Sequence, residues 1–256
     1  MGDALEALLR RDRAIVTGGL VGMAALAWLY LFRLARPMAE ADMGMAMPQM
    51  QPWGPADVLL LFVMWAVMMV AMMVPSAAPV ILVFTTTYRR RREREQPVVG
   101  TGVFLAGYLA VWTGYAALAS LAQWGLHRAA LLSETMASAS ALLGGGLLIA
   151  AGVFQWTPLK HACLARCRSP LAFVMSEWRE GAVGALVMGL RHGAYCLGCC
   201  WLLMALLFVA GVMNLAWVAG IAAFVLVEKV VPGGEHVGRV GGVALALAGL
   251  WLMARG

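Results

Sequence analysis

The chain has 256 residues, 62% of them hydrophobic and only 12% charged, with a formal net charge of +6 at pH 7. A soluble domain of this length would carry about 25% charged residues, and the deficit runs along the whole chain, which excludes a soluble body on a single anchor. The basic residues cluster beside apolar runs, which argues against a nucleic-acid-binding surface and for a membrane topology. A bilayer core of ~30 Å takes roughly 20 apolar residues per helix, and no strand pattern is present. The expected fold is all-α, a polytopic transmembrane helical bundle forming one integral membrane domain over residues 1–256. Six or seven spans are expected, with seven favoured.

The first apolar window, 14–32, follows Arg10, Arg11 and Arg13. Its apolar core exceeds the 7–15 residues of a signal peptide, so a retained first helix is expected. Residues 33–55 read as a polar, proline-containing, methionine-rich loop, facing outward if the N-terminus is cytoplasmic. Met43, Met45, Met47 and Met50 alternate there with other residues. Thioether sulfur is a soft ligand that selects Cu(I) over harder ions, which makes these four a candidate capture site. The competing explanation is that adaptable methionines seat the loop on the membrane surface.

The second window, 58–84, places Met64, Met68 and Met72 at i, i+4 and i+8, on one helix face. Met69 and Met73 form a neighbouring stripe. A methionine stripe commonly serves packing, but this one continues from the outward loop and so extends the candidate ligand set. Pro75 and Pro79 interrupt the same window. Arg89, Arg90, Arg91, Arg92 and Arg94 follow it directly, and with alternating spans they share a side with the segment 160–179. That asymmetry follows the positive-inside rule, with anionic lipid as a secondary contact.

Two further windows cover 98–124 and 137–156. Residues 157–181 then read as a cytoplasmic linker carrying Cys163 and Cys167 at an i, i+4 spacing, with His161 close by. Pro158 and Pro170 bracket a short helix. Thiols on the cytoplasmic side stay reduced and available as ligands. The fifth window, 193–212, leaves open whether its helix begins near Gly181 or near Gly193. Its leading edge contains His192, Cys196, Cys199 and Cys200, which fall within an arc of about 100° on an α-helix. Three thiols and an imidazole on one face suit Cu(I) or Zn(II). The bland alternative treats the cysteines as small buried hydrophobes and His192 as a surface marker. The last windows are 215–227 and 237–254, and Glu228 and Lys229 are expected to pair locally at the membrane surface.

Several segments together resemble a bacterial family of predicted metal-binding integral membrane proteins, a domain of unknown function. They are 65–76 with its methionines and Pro75, Gly107–Tyr108 with Trp112, and 155–170 with Lys160, Cys163 and Cys167. Residues 193–201 with Cys196, Cys199, Cys200 and Trp201 follow, then Met213–Asn214 and Glu228–Lys229. These cover most of residues 56–230. The resemblance implies metal binding within a bundle of spans and no particular substrate or reaction. The methionine-rich loop lies outside the shared pieces.

The function expected is an integral membrane soft-metal-binding protein that acquires, transfers or transports Cu(I), more a carrier than an enzyme. The metal ligands would be the loop methionines, Met64, Met68 and Met72, the His192/Cys196/Cys199/Cys200 face, and Cys163 and Cys167. A bacterial inner membrane, membrane lipid, and a copper chaperone or metalloenzyme partner complete the expectation. Two alternatives compete: a thiol-based membrane oxidoreductase cycling Cys196, Cys199 and Cys200, and a structural or assembly subunit whose cysteines only pack.

Overall fold

The computed structural model describes residues 2–41, 54–91, 97–129 and 140–255. The described residues are helical throughout, with no strand among them. Helix α1 spans Gly2–Ala41, α2 Pro55–Arg91 and α3 Pro97–Arg128. Then come α4, Ala141–Phe154, α5, Pro158–Arg168, and α6, Pro170–Ser176. Helix α7 runs Gly181–Ala205 and α8 Leu207–Ala210, followed by α9, Leu215–Val230, and α10, Gly234–Arg255. The first helix thus continues well into the segment expected to be loop. The loop methionines Met43, Met45, Met47 and Met50 lie outside the described residues.

Among the described residues five helices are long and apolar enough to cross a membrane: Glu6–Arg36, Pro55–Arg91, Val99–Arg128, Gly181–Ala210 and Gly234–Arg255. Helices α4 and α5, bent 65° to one another, make a sixth if the pair counts as one broken span. The favoured count of seven is therefore corrected to five, or up to six. The reason is length. Helix α4 has 14 residues and α9 has 16, so at 1.5 Å per residue they extend only about 21 and 24 Å, against a ~30 Å hydrocarbon core. Helix α7 starts at Gly181, which settles where the fifth helix begins and puts its cysteines near mid-height of the Gly181–Ala210 stretch.

The bend between α4 and α5 has a local cause. Pro158 has no N–H to continue the preceding helix and sits at the first turn of the next. Thr157 caps that turn by accepting from the Lys160 backbone N–H at 3.3 Å. The expected short helix between Pro158 and Pro170 is α5 itself.

Neighbouring helices meet where side chains are absent. Helix α3 packs chiefly on α7 and α4 on α10. A Cβ on Gly189 would overlap the Phe104 carbonyl oxygen, and one on Gly152 would sit 2.6 Å from the Gly242 carbonyl oxygen. Small residues at these crossings let backbones approach closely. Between α1 and α2, buried Asp12 accepts from Arg89 Nε at 2.6 Å, so the first arginine of the basic block holds two helices together. The core contains Trp65, Phe84, Phe104, Tyr108 and Trp112, all essentially inaccessible.

Glu228 and Lys229 do not pair with each other at a surface. Both are buried. Lys160 donates to Glu228 at 2.7 and 2.9 Å and to Gln155 Oε1, so the ion pair ties α5 to α9 at the point where α4 bends into α5. Arg168 adds hydrogen bonds to the Glu228 and Val231 carbonyls at 2.7 and 2.9 Å. Lys160→Met leaves Glu228 buried without its cation and is expected to lower stability by about 3–5 kcal/mol. The double variant Lys160→Met/Glu228→Met should recover most of that loss. Thermal unfolding in detergent compares the two, and equal losses would remove the pair as the source.

Candidate metal centre

The site forms where α7 faces α2, α5 and α9. Helix α7 presents His192, Cys196, Cys199 and Cys200 on its buried side, as expected from their spacing. Cys167 of α5, itself buried, completes the group beside Cys196 and Cys199. Cys200 lies beside the same two cysteines. Four buried thiols from two helices are thus neighbours, although Cys167 lies about thirty residues upstream in the chain. All five cysteines are free thiols.

The helix positions these sulfurs by its own backbone. Cys199 donates to the Cys196 carbonyl at 3.1 Å and Cys200 to the same carbonyl at 2.8 Å. Both are i→i−3 or i→i−4 contacts, the neighbours that an α-helix brings onto one face. Cys163 is half-buried one turn before Cys167. It fits against α7 because residue 198 is glycine, where a Cβ would stand 2.7 Å from the Cys163 sulfur. Gly198 is thus the gap through which α5 brings its thiols to α7.

Three groups around the thiols were not among the expected ligands. Lys229 Nζ donates to Cys196 Sγ at 2.8 Å and to Ser76 Oγ at 3.2 Å. The Tyr108 hydroxyl lies 3.1 Å from the same sulfur and donates to the Met73 carbonyl at 3.1 Å. The Met73 thioether is 4.0 Å from Cys200 Sγ. Met64, Met68 and Met72 are all buried in α2. The thioether recorded against a thiol belongs to the neighbouring Met69/Met73 stripe. A lysine at the end of a short apolar window was the sequence signal for Lys229, and it reads equally well as an interfacial residue.

His192 is buried with its Nδ1 lacking a hydrogen-bond partner. Its ring stacks on Tyr108 with centroids 5.5 Å apart and packs against Phe173 at 5.1 Å. Aromatic contacts, rather than a thiol hydrogen bond, set its orientation. Among the described residues no set of three or more His, Cys, Asp or Glu side chains stands at the geometry of a formed metal site. Cys199 and Cys200 turn their thiols to the Cys196 carbonyl instead. Their chemistry still fits a soft monovalent ion, since thiolates and thioethers are its preferred donors.

Thiol reactivity follows exposure. Maleimide labelling of the folded protein is expected to modify Cys163 first, with Cys167, Cys196, Cys199 and Cys200 reacting only as the bundle opens. Gly198→Val should force α5 off α7 and speed labelling of Cys167 in particular. Mass spectrometry of timed samples reads both effects, and equal labelling of all five thiols in the native protein would contradict the packing.

No curated protein and no solved structure matches the chain. A family model described as PpoB2, copper chaperone, matches residues 62–252, a stretch that contains all five cysteines, Met64 to Met73 and Lys229. With most of its length in that match, the chain belongs to this copper chaperone family, which gives the metal-binding resemblance a copper-related role.

Proposed function

We propose that the protein is a membrane-embedded carrier of Cu(I), with Cys196, Cys199, Cys200 and Cys167 as its holding site. The observation that carries this is the convergence of four buried thiols from α5 and α7, with a thioether at their edge. Thiolate sulfur holds Cu(I) tightly, and a low coordination number leaves room for an incoming ligand. A copper chaperone needs both properties. The family match supports the metal, while the donor set supports its oxidation state.

Membrane placement is supported by composition and by what the helices expose. Leu26, Leu118, Leu142, Val183 and Val240 stand largely uncovered on the outside of the bundle. Apolar surface on that scale needs a partner phase, and five long apolar helices make a lipid bilayer its natural one. A bacterial inner membrane with the N-terminus on the cytoplasmic side is the setting we infer from the arginine block.

Copper would enter at Met43, Met45, Met47 and Met50 and descend past Met64, Met68 and Met72. Met73 is the step from thioether to thiol, because its sulfur is the one in contact with Cys200. His192 lies beside the cluster and can add a neutral imidazole after a turn of its ring. Cys163, half-buried on α5, is the natural point of delivery to a second copper-binding protein. Each step passes the ion to an equal or softer, more anionic donor.

Purified protein in detergent, titrated anaerobically with Cu(I), is expected to bind the ion with sulfur ligation by X-ray absorption. The variant Cys196→Ser/Cys199→Ser/Cys200→Ser should lose the tight site, weakening retention by about a hundredfold or more, the scale of removing ligands rather than their supports. Substitution of Met43, Met45, Met47 and Met50 by Leu should slow loading and leave final affinity unchanged. Copper binding indifferent to the triple cysteine change would sink the assignment.

A further inference from the structure

Lys229 stands on α9, a helix that places no cysteine in the cluster. Its side chain is buried, and its hydrogen-bond partners among the described residues are the Cys196 thiol and the Ser76 hydroxyl. The adjacent Glu228 does not neutralise it, since both of its carboxylate oxygens are engaged by Lys160. An ammonium buried in apolar surroundings without an anion is strongly unfavourable. Around Lys229 the available source of negative charge is sulfur: Cys196, Cys200, Cys199 and Cys167 all lie within its electrostatic reach.

The geometry points to Lys229 as the charge-compensating positioning residue of the thiol centre, the group that limits it to two thiolates per Cu(I). This rests on the copper assignment above. A single Cu(I) brings one positive charge and each thiolate one negative, so a two-thiolate complex carries −1, and the ammonium brings the total to zero. Three thiolates would leave the buried centre at −1 and one thiolate would leave it at +1. Either residual charge is heavily penalised in a low-dielectric interior. Any third donor must therefore be neutral, and the Met73 thioether beside Cys200 is such a donor. The same balance disfavours a divalent ion on two thiolates, which would leave an excess positive charge. Lys229 in this way ties the number of thiolates to the charge of the ion, two for a monovalent one.

The test uses the full-length protein in detergent and competition for Cu(I) with a chromophoric chelator. Lys229→Met should lower affinity about tenfold to a hundredfold, the lower part of what close buried charge pairs contribute, while Lys229→Arg keeps most of it. Lys229→Gln serves as a second neutral variant if the methionine protein does not fold. The background matters most. In Cys167→Ser/Cys199→Ser/Cys200→Ser only the Cys196 thiol of the four remains and the ammonium becomes surplus, so Lys229→Met should there leave the residual affinity unchanged or raise it. A purely structural lysine would lower affinity in both backgrounds, and that result overturns the proposal. X-ray absorption of the wild type should show two short copper–sulfur bonds and one longer; three equal bonds would also overturn it. Binding lost in the triple cysteine variant but indifferent to Lys229 leaves the copper assignment standing and removes only this inference. A wild type that binds no Cu(I) removes both.

Discussion

Two ammonium groups lie inside an apolar bundle, and the arrangement of its second half follows from how each is answered. A charge withdrawn from water needs a partner and further hydrogen bonds to be tolerated. Lys160 is answered by Glu228 and Gln155, and Lys229 by the Cys196 thiol and Ser76. Glu228 and Lys229 are consecutive, so on a helix they point about 100° apart. One turn of α9 therefore fixes two regions at once, the α4–α5 bend on one side and the thiol cluster on the other. Arg168 closes the same turn by donating to the Glu228 and Val231 carbonyls at the C-terminal end of α9, the second of which also accepts from the Gly234 N–H. Helix α5 is thereby held at both ends, and Cys167, the residue before Arg168, is delivered to α7.

This explains why a short and poorly apolar helix is part of the core. Helix α5 is the least hydrophobic of the longer elements and carries Lys160, His161, Arg166 and Arg168 among its eleven residues. Its burial is achieved by its few inward groups, Lys160, Leu164 and Cys167, which recur at helical spacing along one face. The two that are not simple hydrocarbon meet a polar or sulfur partner. Glycine at residue 198 supplies the remaining condition, because any larger residue there would hold Cys163 and the helix behind it away from α7.

Much of this was legible in local spacing. The apolar windows gave the helices, the two prolines gave the limits of α5, and the 192/196/199/200 register gave a face that is indeed buried. Local spacing gave a poor count of spans, since the fourth and sixth windows were apolar enough but their helices end after 14 and 16 residues. It could not find Lys229, which reaches Cys196 across 33 residues, or the Cys200–Met73 contact across 127. Such pairings are set by how helices dock, and no period within a segment records them. The end of an apolar run was the reason for reading Glu228 and Lys229 as interfacial. The bundle instead brings other elements over that end and buries both.

The thiols are close without being preassembled as a metal cage, and that distinction bears on what a carrier must do. Cys199 and Cys200 both turn their sulfurs to the Cys196 carbonyl, using S–H donors that are weak hydrogen-bonding groups. Rotating such a side chain to another staggered position gives up little, about 1 kcal/mol for an ordinary hydrogen bond and less for sulfur. A rigid cage would bind more tightly and release more slowly, since affinity differences reside mostly in the dissociation rate. A loosely tethered set of thiols around a fixed ammonium keeps the electrostatics of the loaded state while leaving the ligands free to exchange. The fixed element is then Lys229, anchored by Ser76, and the mobile elements are the sulfurs themselves. In the proposed carrier, retention comes from the charge balance and release from side-chain rotation, so neither requires the helices to move.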